Sequence, residues 1–455
     1  MLLTSAQDLR FTLRQLQRSP GFALAAIVTL AIGIGATTTI FSLVDGIMLR
    51  PLSFPQPDRL VGIETLEFPP GVAPTNLAAA SSLRSSYPNF FDWQRLNHTF
   101  QSLASYDTVP RLFSKKDGSG ARVITGARVS ATLFPTLGVN PILGRNFTVE
   151  EQQSGHRVVI LSHELWVSDF NSSPNVIGEI VRISDEPSIV VGVMPAGFDF
   201  SVKEPAMFWA TYAANTEGPF PTTSQRDSTQ LGIVGRLKNG VSLNQALADL
   251  NTIQRGLSQQ YSEDRLRLAV DLAPLLNEAV SDVRTPLIFL FISVGVLLLI
   301  GCANVAGLLL ARANRRRPEL ALRAALGASR GRVVRQLLVE ALLLATAGGI
   351  LGIFLSIVLL KIALRFIPGD LPRVSNASLD FRVLAFTVVL SVATAIVFGL
   401  LPAWIMSRQD PAHSLRECGL HMTSGRRRNR LHQVLVVIQT ALGFTMLIGS
   451  GLLIR

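Results

Sequence analysis

Apolar and polar positions divide the chain into long uncharged stretches and one mixed region. Five stretches each contain at least 20 consecutive residues without Asp, Glu, Lys or Arg, and a helix needs about 20 apolar residues to cross a bilayer. They predict membrane-spanning helices at residues 21–44, 286–311, 336–362, 383–407 and 432–455. A buried core helix is the alternative for any single stretch, but five in one chain favour an integral membrane protein.

The first stretch is predicted to remain in the protein as an anchor. Its 24 uncharged residues exceed the roughly 7 to 15 of a secretory signal's apolar region. Before it, Leu9, Leu13 and Leu16 recur at helical spacing, with Arg10 on another face. This pattern predicts a cytoplasmic helix within residues 1–20 that lies in the membrane interface.

The region at residues 45–285 is predicted to form a large extracytoplasmic α+β domain, because its apolar positions alternate between strand and helix periods. One lobe is predicted from residues 50–125 and 230–280, and a β-rich insert from residues 126–229. The predicted strands are Leu60–Leu66, Ser102–Val109, Ala121–Val129, Val158–Ser162, Ile180–Ser184, Ile189–Met194, Leu231–Leu237 and Leu266–Leu272. The predicted helices are Tyr87–Leu96 and Ser242–Tyr261, the latter with Ser242 as its cap.

The basic charge of the chain is concentrated in two loops. The net charge is +11 and the mean hydropathy is +0.37. Residues 312–335 carry eight Arg and one Glu, and residues 406–432 carry six Arg, one Asp and one Glu, which gives +7 and +4. Since Lys and Arg concentrate on the cytoplasmic side, the N-terminus and residues 312–335 and 408–431 are predicted inside, with 45–285 and 363–382 outside. Topology explains the charge, so no nucleic-acid partner is predicted.

No catalytic, cofactor or metal site is predicted from the sequence. The Walker A pattern G-x-x-x-x-G-K-[ST] is absent, so the chain is not expected to be its own ATPase or another enzyme. No His or Cys stands at zinc-ligand spacing, and Cys302 and Cys418 lie too far apart in the predicted topology to pair. The uncharged stretches lack the acidic and basic groups of proton relays and ion pathways, which disfavours a proton-coupled carrier or cation channel.

The loop between the second and third predicted spans contains a short amphipathic helix pattern. Pro318 suits the first turn, Glu319 lies near the positive helix end, and Gly327 can end the helix. An apolar stripe is formed by Leu322, Ala325 and Leu326, with Arg323 on another side. A basic loop on lipid headgroups would explain the arginines but not the apolar stripe, so we expect this helix to dock a cytoplasmic partner.

This loop and its flanks resemble the MacB/FtsX family of ABC-transporter permeases. That family has an Asn in the second span, then R-x-x-E-h-x-h-R-x-x-h-G-A, where h is apolar, and Q-x-x-h-E before a Gly-rich third span. Here these positions are Asn304, Arg316 to Ala328, Gln336 to Glu340, and Gly348, Gly349 and Gly352. The stretches RVVILSHELW and VVGVMPAGFDF are similar to a narrower group, the duplicated permeases abundant in acidobacteria.

The resemblance implies roles for these residues and a set of partners. The residues implied to contact an ABC ATPase are Arg316, Pro318, Glu319, Leu322, Arg323, Ala325, Leu326 and Gly327, and those implied to pack the spans are Asn304, Gly348, Gly349 and Gly352. In that family four spans in the bacterial cytoplasmic (inner) membrane enclose one periplasmic domain with a discontinuous porter lobe and a β-rich insert. Two permeases or two halves pair over an ATPase dimer, which binds the ATP, so the chain itself needs no cofactor. A periplasmic adaptor is a further candidate partner.

The family's working model is mechanotransmission, in which ATP-driven closure of the ATPase moves the coupling helix and the outer domain, here for export or efflux. Lipoprotein extraction and FtsX-like regulation of cell-wall hydrolases remain alternatives, and a sensor that signals to a kinase would need no coupling helix. The fifth span at residues 432–455 departs from the four-span pattern. It resembles the start of a second permease half, so the chain is expected to be a truncated first half.

The predicted topology is testable by cysteine labelling in intact cells. Cysteines placed near Ser119 and Ser173 should react with an impermeant reagent from outside, and cysteines near Ser329 and Ser424 should be protected, because the arginine-rich loops stay in the cytoplasm. Labelling near Ser329 by the reagent added outside the cells would contradict the predicted topology. Permeabilised cells, in which all four positions should react, provide the control.

Overall fold

The computed structural model describes residues 12–69, 79–154, 156–198, 200, 206–211, 226, 229–261, 267–315, 330–366, 377–407, 437, 440, 441 and 443. Two compact units emerge from the described residues. The membrane unit is drawn from Met1–Leu49, Val283–Pro368 and Arg373–Arg455, and the outer unit from Arg50–Asp282.

Four helices dominate the described part of the membrane unit. The α-helices of the chain are α1 (Pro20–Val44), α2 (Tyr87–Leu96), α3 (Leu133–Leu137), α4 (Val149–Ser154), α5 (His163–Phe170), α6 (Leu243–Gln260), α7 (Leu275–Arg315), α8 (Arg330–Phe366) and α9 (Phe381–Ser407). Of these, α1, α7, α8 and α9 are long and apolar enough to cross a membrane. Residues 12–17 are also helical, and a π-helical turn, Asp45–Leu49, follows α1.

The C-terminal predictions fall largely beyond the described residues. The predicted cytoplasmic linker, residues 408–431, lies outside them. Of the predicted fifth span, residues 432–455, only four positions are described, and each is helical: Val437, Thr440, Ala441 and Gly443.

Helix α7 begins eleven residues before the span predicted from the sequence. The uncharged stretch starts at Pro286, but the helix starts at Leu275 and carries Pro286 inside its 41 residues. The extra turns are helical because Leu275 and Val280 are buried in the outer unit, and tertiary burial outweighs the helix-breaking tendency of a single proline. At 1.5 Å per residue the helix is about 60 Å long.

The outer unit is built on one sheet. Its described strands are β1 (Leu60–Phe68), β2 (Ser81–Leu83), β3 (Phe100–Lys115), β4 (Arg122–Val129), β5 (Leu143–Gly144), β6 (Val158–Leu161), β7 (Ile180–Ile183), β8 (Glu186–Val193), β9 (Phe208–Thr211), β10 (Gly232–Leu237) and β11 (Arg267–Pro274). Their order is β11-β1-β10-β3-β4-β9-β6-β8-β5, with β2 beside β1 and β7 beside β3 and β8. The pairs β4–β9 and β6–β8 are parallel. The fold class predicted from the sequence, spanning helices with a mixed α/β outer domain, is confirmed.

Three hydrophobic cores lie on this continuous sheet, and two of them show how its helices and strands are joined. Helices α2 and α6 bury Trp93 and Leu250 in the first core, and helix α5 buries Leu165 in the second. The long strand β3 supplies Leu103 to the first core and Phe113 to the second. A sixteen-residue strand that serves both cores explains why the outer unit is a single compact body.

The strands and helices predicted for the outer domain are all present, with shifted ends. Helix α6 has the predicted Ser242 cap, and the cap is reciprocal. The Gln245 N–H donates to the Ser242 hydroxyl oxygen at 3.3 Å, and the Ser242 N–H donates to the Gln245 side chain at 2.9 Å. This capping box satisfies two N–H groups that a helix start would otherwise leave unpaired.

A buried arginine ties β10 to α3. The Arg236 guanidinium donates to the backbone carbonyl oxygens of Thr136 at 2.7 Å and Leu137 at 3.2 Å, at the end of α3. These carbonyls lack partners within the helix, and a cation is favoured at that helix end. Burial lowers the pKa of Arg236, and the neighbouring Arg59 lowers it further. The hydrogen bonds therefore hold a partly desolvated charge in place.

Two glycine variants test the packing of the outer unit. A Cβ at Gly126 would fall 2.2 Å from Cζ of Phe208 on the paired strand β9, so Gly126→Ala should destabilise the protein by about 1–3 kcal/mol. Gly256, inside α6, has nothing within 4 Å of its added Cβ, so Gly256→Ala should stabilise it by about 0.5–1 kcal/mol. Denaturant unfolding of the full chain in detergent, followed by tryptophan fluorescence, measures both. Equal effects of the same sign would refute this packing.

Candidate functional site around Arg312 and Glu340

The predicted coupling helix cannot be placed, because Arg316, Pro318, Glu319, Leu322, Arg323, Ala325, Leu326 and Gly327 all lie outside the described residues. The structure does describe both ends of this segment. Helix α7 runs to Arg315 before it, and helix α8 starts at Arg330 after it. The roles proposed for these eight residues therefore stay predictions, and the site is built from the helix ends around them.

An ion pair joins α7, three residues before its end, to α8, ten residues after its start. Nη1 of Arg312 on α7 lies 2.8 Å from Oε1 of Glu340 on α8, and the two side chains are only 12% and 6% exposed. A buried ion pair pays a desolvation cost, so its net contribution is small, but removing one partner costs about 3–5 kcal/mol because a buried charge is left behind. The pair thus fixes α7 to α8 on either side of the undescribed segment.

Arg312 has two further contacts in the membrane unit. Its Nη2 donates to the backbone carbonyl oxygen of Gln15 at 2.8 Å. Its guanidinium carbon lies 4.6 Å from the centre of the Phe22 ring at the start of α1, within the range of a cation–π interaction. One planar guanidinium therefore contacts the 12–17 helix, α1 and α8, which a lysine's single ammonium could not do with the same geometry.

Glycines let α1 and α8 approach closely. A Cβ at Gly348 would lie 2.7 Å from Cβ of Leu30, and a Cβ at Gly352 would lie 3.2 Å from the backbone nitrogen of Gly35. On the α1 side, a Cβ at Gly35 would lie 2.9 Å from the Gly352 carbonyl oxygen. Gly348 and Gly352 are four residues apart, the spacing of small-residue contacts between membrane helices. Backbone meets backbone at this crossing.

The other predicted glycine, Gly349, faces α9. A Cβ at this position would lie 2.5 Å from the Ser391 hydroxyl oxygen. Neutral hydrogen bonds connect α1 to the chain around α9: the Thr38 and Thr387 hydroxyls are 3.1 Å apart, and the Ser42 hydroxyl donates to the Ser378 carbonyl oxygen at 3.0 Å. Hydrogen bonds of this kind between membrane helices contribute about 0.6–2 kcal/mol each.

Asn304, predicted to pack the spans, has an exposed side chain on α7 among the described residues. It lies between the exposed Leu297 and Leu308, and its predicted packing role stays a prediction. The adjacent Val305 and Ala306 are buried in a cluster that includes residues of α1, α8 and α9. With 3.6 residues per helical turn, neighbouring positions point in different directions, and the motif alone did not reveal which of them is buried.

The sequence did not single out the contacts of Arg312. Arg312 counted only as one charge of the basic loop, and Glu340 only as the end of a motif. A signal for the ion pair was available, since Glu340 directly precedes an uncharged stretch and a carboxylate there needs a partner. No sequence signal linked Arg312 to Gln15, which is 297 residues away in the chain.

Among the described residues no group of three or more His, Cys, Asp or Glu side chains could hold a metal ion. Around Arg312 no nucleophile with a paired base is present in the described part of the chain. Direct polar contacts connect α7 there to α8 and to the 12–17 helix.

Two family models match the sequence. A MacB-like periplasmic core domain matches residues 23–253, and an FtsX-like permease C-terminal region matches residues 291–411. The macrolide export ATP-binding/permease protein MacB of Salmonella paratyphi A is 29% identical over 293 residues, which cover 63% of this chain. The chain spans 42% of the length of that relative.

Solved structures of outer domains are also similar to the chain. The periplasmic region of MacB from Actinobacillus actinomycetemcomitans is 14% identical with a TM-score of 0.35, covering 51% of this chain and 92% of that one. The extracellular domain of the noncanonic ABC-type transporter YknZ from Gram-positive bacteria is 13% identical with a TM-score of 0.34, covering 47% and 99%. The family assignment rests on the sequence matches.

The glycine contact predicts a strong effect of one substitution. Gly352→Leu should separate α1 from α8 and lower the stability of the detergent-solubilised chain by about 1–3 kcal/mol or more, because an added side chain meets backbone atoms of Gly35. Gly295→Leu is the matched control, since nothing lies within 4 Å of a Cβ there on α7. Thermal unfolding followed by size-exclusion chromatography measures both. Equal losses in the two variants would contradict the close crossing.

Proposed function

The chain belongs to the family of membrane permeases that combine a MacB-like periplasmic core domain with an FtsX-like permease C-terminal region, and we propose that it is the membrane subunit of an ABC transporter whose ATPase is a separate polypeptide. It is a multi-pass membrane protein. In this proposal ATP is bound by the partner, and the chain itself carries no cofactor and catalyses no reaction. The absence of a Walker A pattern in its 455 residues supports that division.

One observation carries the proposal. The segment with the coupling-helix pattern, residues 316–329, lies in the chain between two spanning helices that are joined by the buried Arg312–Glu340 ion pair, three residues before the segment's α7 side and ten residues into α8. A loop that only rested on lipid headgroups would not require its two ends to be fixed to each other. A partner that pushes on this segment does require it, because otherwise the push would be lost in movement of the helix ends.

Export or efflux is the proposed direction of transport, and mechanotransmission is the proposed mechanism. The similar protein from Salmonella paratyphi A is named for macrolide export. The proposal for this chain names no substrate. A periplasmic adaptor is a candidate partner in the same scheme. The arginine-rich segments support an N-terminus on the cytoplasmic side, with the outer unit in the periplasm of a bacterial inner membrane.

Pairing with a second permease, either another copy or a second half, is the proposed assembly. Asn304 supports it, because an amide exposed at membrane depth is costly in lipid, and Asn side chains form hydrogen bonds between membrane helices. The neighbouring exposed Leu297 and Leu308 provide apolar surface on the same face of α7. A partner helix on this face would satisfy the amide.

Docking of the ATPase is tested by placing one added carboxylate on either of two faces of the predicted coupling helix. Ala325→Asp places a carboxylate in the predicted apolar stripe, where burial of an unpaired charge should cost several kcal/mol of docking, so the ATPase should no longer copurify. Ala324→Asp is the matched control, because the same substitution falls on the opposite face. Copurification and permease-stimulated ATP turnover are the measurements.

The charged residues of this helix should matter less. Glu319→Ala and Arg323→Ala should each weaken docking by about 1 kcal/mol or less, because pairs at an exposed rim are screened by solvent. If Ala325→Asp keeps the ATPase and its stimulated turnover at the unmodified level, the segment is a topogenic loop and the transporter proposal loses its main support.

A further inference from the structure

Three segments that are remote in sequence meet at the guanidinium of Arg312. Glu340 on α8 accepts from Nη1, the Gln15 carbonyl oxygen accepts from Nη2, and the Phe22 ring of α1 lies against the guanidinium carbon. Arg312 itself is three residues from the end of α7 at Arg315. The group therefore stands directly before the predicted coupling segment.

We propose that Arg312 is a positioning residue that transmits movement of the coupling segment to the N-terminal helix over residues 12–17, and that ATPase stimulation depends on this link. The inference rests on the proposed function, because it assigns a route by which the ATPase acts. It goes beyond that function by making the helix at residues 12–17 a moving part rather than a passive anchor on the membrane.

The contact with Gln15 has the geometry of a helix cap. Gln15 lies near the end of helical residues 12–17, where carbonyl oxygens lack partners within the helix. The Ser19 hydroxyl also donates to the Gln15 oxygen, at 3.3 Å, and Arg312 donates to it at 2.8 Å. A cation is favoured at this negative helix end. The end of the 12–17 helix is thereby held by a charge that belongs to α7.

The ion pair alone does not explain the arrangement. A lysine at position 312 would satisfy Glu340, but its compact ammonium cannot present two parallel donors to two acceptors and stack on a ring at the same time. Glu340 fixes the guanidinium relative to α8, so the second donor is aimed at Gln15. A shift of the α7 end must then carry the 12–17 helix with it or break a buried, charge-assisted hydrogen bond.

Two variants separate this link from the ion pair. Arg312→Lys keeps a cation for Glu340 but replaces the two guanidinium nitrogens with one ammonium nitrogen, so the donor placed toward Gln15 is lost. The double variant Arg312→Glu with Glu340→Arg restores an ion pair with exchanged charges, but a carboxylate cannot donate to the Gln15 carbonyl oxygen. Arg14→Lys is the matched control, because Arg14 is exposed on the same short helix.

The experiment uses the full chain in nanodiscs, together with the ABC ATPase that copurifies with it. In both test variants the ATPase should still copurify with an unchanged KM for ATP, while the stimulated kcat falls about 10-fold or more. Hydrogen exchange of amides within residues 12–17 should accelerate about 10-fold or more, because a charge-assisted bond to that helix is lost. The Arg14→Lys control should match the unmodified chain in all of these.

Each of three other outcomes contradicts a specific part of the proposal. If the double variant recovers the unmodified kcat, the ion pair alone matters and the link to residues 12–17 is wrong. If exchange at residues 12–17 accelerates while kcat is unchanged, Arg312 caps that helix but does not position it for coupling, and the inference is again wrong. If no ATPase binds the unmodified chain, the proposed function itself fails, which the other two results do not imply.

Discussion

The close crossing of α1 and α8 is the constraint on which the described membrane unit depends. Gly35 and Gly352 bring backbone against backbone, with a Cβ at Gly35 only 2.9 Å from the Gly352 carbonyl oxygen. Lipid offers apolar side chains no gain from clustering, so close packing and hydrogen bonds must hold the helices together. On the same helix α8, Glu340 lies 2.8 Å from Arg312 of α7. The glycine crossing and the ion pair together tie α8 to α1 and to α7.

The polar groups of the membrane unit fall into two kinds with different physical roles. Within the bundle they are neutral hydroxyls, such as the Thr38 and Thr387 pair, which add modest and reversible hydrogen bonds between helices. Near the end of α7 they are charged, and loss of either partner of the Arg312–Glu340 pair would strongly destabilise the protein. Weak hydrogen bonds between neutral groups thus connect α1 and α9 within the bundle. A buried ion pair connects α7 and α8 beside the segment where a partner is proposed to act.

In the outer unit, one sheet joins strands from both chain regions that the strand and helix pattern had assigned to two lobes. Strand β3 is long enough to contribute Leu103 to one core and Phe113 to the other, and the two parallel pairs join the β-rich part to it. Helix α7 then leads from Leu275, a core residue of this unit, to Arg315 without interruption along the chain. One helix of 41 residues therefore begins among core residues of the outer unit and continues as a membrane-length apolar helix.

The sequence by itself determined the features that depend on local patterns. The length of the uncharged stretches predicted the spans, the placement of arginines predicted the orientation, and the alternation of apolar positions predicted the strands of the outer domain. Each of these patterns depends on the free energy of placing a single side chain in lipid, in water or in a protein core. Only the tertiary structure decided which faces meet. It turned Asn304 outward, extended α7 back through Pro286 to Leu275, and brought Gln15 to Arg312 across 297 residues. Such contacts depend on helix rotation and long-range packing, and a one-dimensional pattern does not contain either.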